Sequence, residues 1–163
     1  MSFLPALIIM YMIIGFSSQT GSQSSSLSYQ VSKSVVLAYN KILIKGYSNE
    51  TLNELIILLH PWIRKTAHFT EYFALAVTVA IPLYVYKIRG IFLFLTGGIF
   101  CVLFAFLDEY VQSFVLNRTS SLRDVGIDSL GALSGILVAW IFCYIGRKTL
   151  FKWLSLDEPR KGR

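Results

Sequence analysis

Four long apolar runs, separated by polar segments, organise the chain. The first covers residues 3–16 and is short for a membrane span, which needs roughly 20 residues. It has the length of a signal-peptide core, but no Lys or Arg precedes Lys33. Gly15-Phe16-Ser17-Ser18-Gln19 is also a poor cleavage site, so the run reads as a retained helix. Residues 17–26, rich in Ser, Gln and Gly, read as a solvated loop. Beyond it, Leu27, Val31, Val35, Ala38 and Ile42 recur at three- and four-residue steps, with Ser32, Lys33, Asn40 and Lys41 between them. That spacing predicts an amphipathic helix, ended by Gly46, lying either on the membrane surface or on the other helices. A short helix follows, opened by the capping-box pattern Thr51-Leu52-Asn53-Glu54 and closed by Pro61.

The second span is predicted over 66–86. Trp62 stands before it, and Tyr84, Tyr86, Lys87 and Arg89 mark its far end. Pro82 is positioned to kink its last turn. The tight link Lys87-Ile88-Arg89-Gly90 leads into the third span, 90–107, and makes the two a helical hairpin. A longer polar connection, 108–124, precedes the fourth span, 125–145. Gly131 and Gly135 in that span have the G-x-x-x-G spacing that permits close helix packing. The expected architecture is all-α and polytopic: four transmembrane helices, with an amphipathic helical segment between the first and second. It forms one domain over residues 1–163, ending in a basic tail from 147.

Composition agrees. Of 163 residues, 55% are hydrophobic and 15% charged, and the mean hydropathy is +0.60. A soluble domain carries about 25% charged residues, so lipid is the simpler solvent. The net charge of +6 is scattered between apolar runs rather than gathered in a patch. No recognised motif or basic helix supports nucleic-acid binding, so nucleic acid is not an expected partner and membrane lipids are. Cys101 and Cys143 lie in apolar runs without metal-ligand spacing and read as small apolar filler.

Four spans put both ends of the chain on one side. Lys87, Arg89, Arg147, Lys148 and Lys152 flank spans there. Arg64, Lys65, Arg118 and Arg123 flank them on the other side, where Lys33, Lys41 and Lys45 sit in a long segment that counts for less. The bias favours both termini in the cytoplasm.

The same topology gathers the residues that do not belong in lipid. Lys65, His68, Glu71 and Tyr72 open the second span. Asp108, Glu109 and Gln112 follow the third. Arg118, Arg123 and Asp124 precede the fourth, and Asp128 lies in its first turns. Spans two and four start, and span three ends, at one face of the bilayer, which predicts a polar pocket there. The plainer alternative is that Lys65, Arg118 and Arg123 only neutralise Glu71, Asp108, Glu109 and Asp124, with helix N-termini favouring the acids. An ionisable cluster at membrane depth is nonetheless a functional hypothesis by default.

Here the residues resemble a family. Arg64-Lys65-Thr66-Ala67-His68-Phe69-Thr70-Glu71-Tyr72 is similar to the opening motif of VanZ-like membrane proteins. So are Asp108-Glu109-Tyr110-Val111-Gln112-Ser113-Phe114 and Asn117-Arg118-Thr119-Ser120-Ser121-Leu122-Arg123-Asp124-Val125. Asp128, Gly131 and Gly135 resemble the family's ending, with Asp where Asn is usual, so no amide role is carried to 128. Phe16-Ser17-Ser18-Gln19 resembles its first span exit. The resemblance is strongest over 60–146. It implies a bacterial membrane protein, in a family named for teicoplanin resistance in Gram-positive bacteria, and no settled activity.

Three functions follow as expectations. The pocket binds or modifies an anionic amphiphile of the cell envelope, such as a lipid-linked wall precursor or a lipoglycopeptide, with Arg118 and Arg123 gripping phosphate or carboxylate. Alternatively, the chain is a hydrolase or transferase for lipid-linked substrates. His68 would then be its general acid/base, Glu71 its partner, and Asp108 or Glu109 would activate water or bind a divalent cation. One His with carboxylates is a thin metal set, so no metal or cofactor is expected. The third function, a small transporter, is weakened by the lack of polar groups in the far halves of the spans.

Overall fold

The computed structural model describes residues 3–43, 46–118 and 120–156, with side chains to residue 149. Lys45 of the long segment, Thr119 of the loop motif, and Asp157, Glu158, Arg160, Lys161 and Arg163 of the tail lie outside the described residues. The rest forms five helices: α1 (Leu4–Ser17), α2 (Gly21–Ile42), α3 (Asn49–Val85), α4 (Ile91–Gln112) and α5 (Leu122–Leu156). Three helical stretches, Asn49–Val85, Ile91–Gln112 and Leu122–Thr149, are long and apolar enough to cross a membrane. α1 and α2 reach that standard only together, as a pair bent by 108°. The expected four spans are therefore three, or four if the bent pair counts as one.

Neighbouring contacts give the directions. Tyr72 meets Phe104 across the α3–α4 hairpin, and Gly97 lies against Leu83 and Ile136, so α4 runs antiparallel to α3 and α5. Gly131 faces Phe69, and Gly135 faces Phe73 and Ala76, so α3 and α5 run parallel. Phe3 stacks on Tyr86 while Ser17 meets Gln112, so α1 runs with α4. The start of α1 and the later turns of α5 thus lie at one end of the bundle. The α3–α5 seam is the most extensive interface. A Cβ on Gly131 or Gly135 would run into the backbone carbonyl of Phe69 or Phe73. Here the G-x-x-x-G spacing brings two helix backbones together. The core behind the seam holds Tyr72, Leu75, Ala76, Leu93, Cys101, Ala105, Ala132 and Ile136.

Several sequence expectations change. Residues 17–26 are not a loop: the chain breaks only at 18–20 before α2 begins. Thr20 caps α2 through a reciprocal pair, its Oγ1 accepting from the Gln23 amide while its own amide donates to Gln23 Oε1. The serines survive in a helix because they are its packing face. Ser28 Oγ lies 3.0 Å from His60 Nε2 and Ser25 Oγ 3.5 Å from it, while Ser28 and Ser32 donate to carbonyls one turn back. Val36 closes this face on Leu52 and Ile56. The predicted apolar stripe of Leu27, Val31, Val35, Ala38 and Ile42 is exposed rather than packed on the other helices, with Leu27 and Val31 lining a cavity.

The short helix ended by Pro61 is instead the first third of α3. Ser48, not Thr51, caps it by accepting from the Thr51 amide. An interior proline costs about 3 kcal/mol, and packing on α2 before it and on α4 and α5 after it outweighs that penalty. Asp108, Glu109 and Gln112 belong to the last turns of α4, which shortens the connection to residues 113–121. α5 runs through the first part of the basic tail. Lys87 and Gly90 both adopt positive φ in the tight α3–α4 link, a conformation glycine takes without strain.

Candidate functional site

α3, α4 and α5 each bring one turn of ionisable residues to the same level. His68 Nδ1 of α3 lies 3.7 Å from Asp128 Oδ1 of α5, with side-chain exposures of 12% and 0%. Asp108 of α4 is fully buried beside them. One ligating atom from each of the three lies within 4.8 Å of the others. Tyr72, one turn beyond His68 and fully buried, sits among Asp108, Asp128 and Glu71. Gln112 Nε2 donates to Asp108 Oδ2 (3.0 Å) and to Ser17 Oγ (3.2 Å), which ties α4 to the end of α1.

Much of this buried polarity is unsatisfied. His68 Nδ1, Tyr72 Oη, Asp108 Oδ1 and both carboxylate oxygens of Asp128 have no hydrogen-bond partner. Among the described residues no Lys or Arg lies within 4.0 Å of a carboxylate; the His68–Asp128 contact is the one ion pair. Simple neutralisation by neighbouring cations, the plainer sequence reading, has no direct contact to support it.

In front of this cluster, between α1, α2 and α3, lies a cavity of about 620 Å³. Its apolar walls include Ile9, Met12, Ile13, Phe16, Leu27 and Val31. Arg64, His68, Glu71 and Arg118 also line it. His68 is the shared element, lining the cavity with one side and facing Asp128 with the other.

The geometry is that of a bundle with a polar core at one end. A family model described as VanZ/LLP1 matches residues 2–143. The chain belongs to the VanZ/LLP1 family. A search of curated proteins and a search of solved structures each found no match.

Within this VanZ/LLP1 chain the sequence-derived candidates are placed differently. His68, Tyr72, Asp108, Gln112 and Asp128 converge in the buried cluster, and His68 and Glu71 reach the cavity. Glu109 is buried, but its Oε2 accepts from the Ser121 amide at 2.7 Å, so it holds the 113–121 connection against α4. Asp124 sits in the first turn of α5, within electrostatic reach of His68. Lys65 and Arg123 are not brought into the cavity. Lys65 is exposed and lies over the Trp62 ring, and Arg123 is exposed at the start of α5.

Arg118 lines the cavity but already has work. Its Nη1 donates to the carbonyls of Ser17 (2.5 Å) and Phe16 (3.3 Å), and its Nη2 donates to Ser24 Oγ (3.2 Å). Desolvation, and then Arg64, pull its pKa below the ordinary arginine value; Asp108, Glu109 and Glu71 oppose them. Sequence reasoning missed three contributors: Arg64 as a cavity cation, Ser17 as the buried acceptor for Gln112, and Ser24 as an Arg118 partner. Ser17 lay within the first-span-exit resemblance and could have been found there. Arg64 lay inside the opening motif but was read only as a topology charge.

Proposed function

We propose that this VanZ/LLP1 protein binds an anionic amphiphile of the cell envelope in the α1–α2–α3 cavity. One observation carries the reading: a 620 Å³ cavity has apolar walls for a chain, and Arg64 and Arg118 for a charged head. Small-ligand sites of this size are mostly apolar with a few placed polar groups. Arg64 is the better headgroup ligand of the two, since Arg118 already spends its Nη donors on Phe16, Ser17 and Ser24. A polyprenyl-phosphate-linked wall precursor has the required chemistry, and so does a lipoglycopeptide. The protein would sit in the cell membrane as a multi-pass chain with both termini cytoplasmic and the polar end outward. Sequestering or altering such a lipid would change teicoplanin susceptibility.

Lipid mass spectrometry of the purified protein tests this, comparing wild type with Arg64→Gln. The expected result is an anionic lipid enriched over the bulk membrane in wild type and lost in the variant. Bulk lipid composition in both samples refutes the reading. One observation favours a second reading, a hydrolase or transferase: His68 borders the cavity with Asp128 behind it, an arrangement suited to moving a proton. Turnover of a lipid-linked substrate, abolished in His68→Ala, supports that reading.

A further inference from the structure

The buried cluster poses a charge problem that the cavity does not solve. Asp108 and Asp128 are both fully buried. Three of their four oxygens have no hydrogen-bond partner. Buried carboxylates are paired, protonated or bound to metal, because an isolated charge is too costly. Arg118 directs its Nη donors elsewhere. His68, even when protonated, supplies one positive charge against two negative ones. A divalent cation cancels both and gives the unpartnered oxygens and His68 Nδ1 a shared use.

We propose that His68, Asp108 and Asp128 form a site for one first-row divalent cation, Zn²⁺ or Mn²⁺. Imidazole with carboxylates suits these ions, and three protein ligands leave a position open. The His68 Nδ1–Asp128 Oδ1 separation of 3.7 Å is near the roughly 3.4 Å between two ligands of a tetrahedral ion at about 2.1 Å. Gln112 holds Asp108 by its second oxygen, the outer support that metal-binding carboxylates use. Tyr72 Oη, also buried, lies beside Asp108 and would steady that carboxylate in the site. Of the three ligands, His68 also lines the cavity. The sequence brings residues 68, 108 and 128 to one level of the bundle but shows no local ligand motif, so their ligating geometry appears only in the folded bundle.

The site stands independently of what fills the cavity, and its test reads metal rather than lipid. The full chain, purified in detergent from cells supplied with zinc and manganese, is analysed for metal by mass spectrometry. It is then unfolded thermally with a chelator and after ZnCl₂ or MnCl₂ is added back. The expected content is about one ion per chain, with an unfolding midpoint that falls on chelation and recovers with the ion that belongs. Asp128→Asn should lose more than the roughly 10–100-fold in affinity that removing an outer partner costs, and its midpoint should ignore the chelator. Asp124→Asn, a nearby carboxylate outside the ligand set, should keep the metal. Wild type with no stoichiometric metal and a midpoint indifferent to chelator and added ions overturns the proposal, and needs no variant to fold. Equal metal in wild type and Asp128→Asn overturns it as well. Metal without enriched lipid, or lipid without metal, separates this site from the amphiphile reading.

Discussion

Replacing Gly131 or Gly135 by alanine tests the seam that holds the cluster together. An added methyl at Gly135 would lie 3.0 Å from Ala76 Cβ as well as on the Phe73 carbonyl; at Gly131 it would meet the backbone of Phe69. Carbon atoms rest about 3.5–4.0 Å apart, so α3 and α5 must part by roughly 0.5–1 Å. The obstacle is backbone, which cannot swing aside. Overpacking costs about 1–3 kcal/mol, and the upper end applies here. Alanine's helix propensity returns about 1 kcal/mol, leaving a net loss of about 2 kcal/mol per site. For a chain this long that lowers the unfolding midpoint by roughly 4–8 °C. Gly126 is the internal control. It lies in the same helix with nothing within 4 Å of an added Cβ, so Gly126→Ala should raise the midpoint by roughly 2–4 °C. Thermal unfolding in detergent measures all three. If Gly131→Ala and Gly135→Ala match Gly126→Ala, the backbones do not meet there and the reasoning fails. The same parting would carry His68, next to Phe69, away from Asp128, one turn before Gly131.

Arg118→Met removes donors to Phe16, Ser17 and Ser24; charged hydrogen bonds are worth about 1.5–3 kcal/mol each. The midpoint should fall by several degrees, and Arg118→Lys should restore less than half of it, because a point charge cannot reach all three acceptors. Glu109→Gln should leave stability nearly unchanged, since the amide oxygen still accepts from Ser121; Glu109→Ala should cost about 1–2 kcal/mol, read by denaturant unfolding. Val31→Asp puts a charge on the cavity wall at a half-exposed position. The fold should persist while enriched lipid falls roughly tenfold, the equivalent of about 1.5 kcal/mol of lost valine contact.

The polar level of the bundle was legible because ionisable residues stand out against apolar runs, and span direction alone decides which meet. His68, Asp108 and Asp128 were found in this way, and Gly131 and Gly135 by spacing. What stayed hidden depended on distant partners. A run of serines has low helix propensity, and only His60, more than thirty residues on, makes it a packing face. Pro61 is a good stop signal until packing on both sides overrides it. Lys65 shares a helix sector with His68, yet its long side chain turns back to Trp62, a choice no spacing records. Glu109 sits next to Asp108 in sequence, and only the fold of 113–121 separates a loop anchor from a cluster member.

The guanidinium of Arg118 joins the exit of α1, the opening of α2 and the α4–α5 connection at one point, and Gly21 docks on Asn117 beside it. Ribosomal synthesis delivers these pieces in order, corner first and clasp much later. The bend between the first two helices therefore waits, unfastened, while α3 and α4 are made, and the cavity acquires its front wall only when α5 is about to emerge. A truncated chain ending before the clasp should already hold the α3–α4 hairpin yet lack a defined corner, which makes assembly of the α1–α2–α3 cavity a late event in biogenesis.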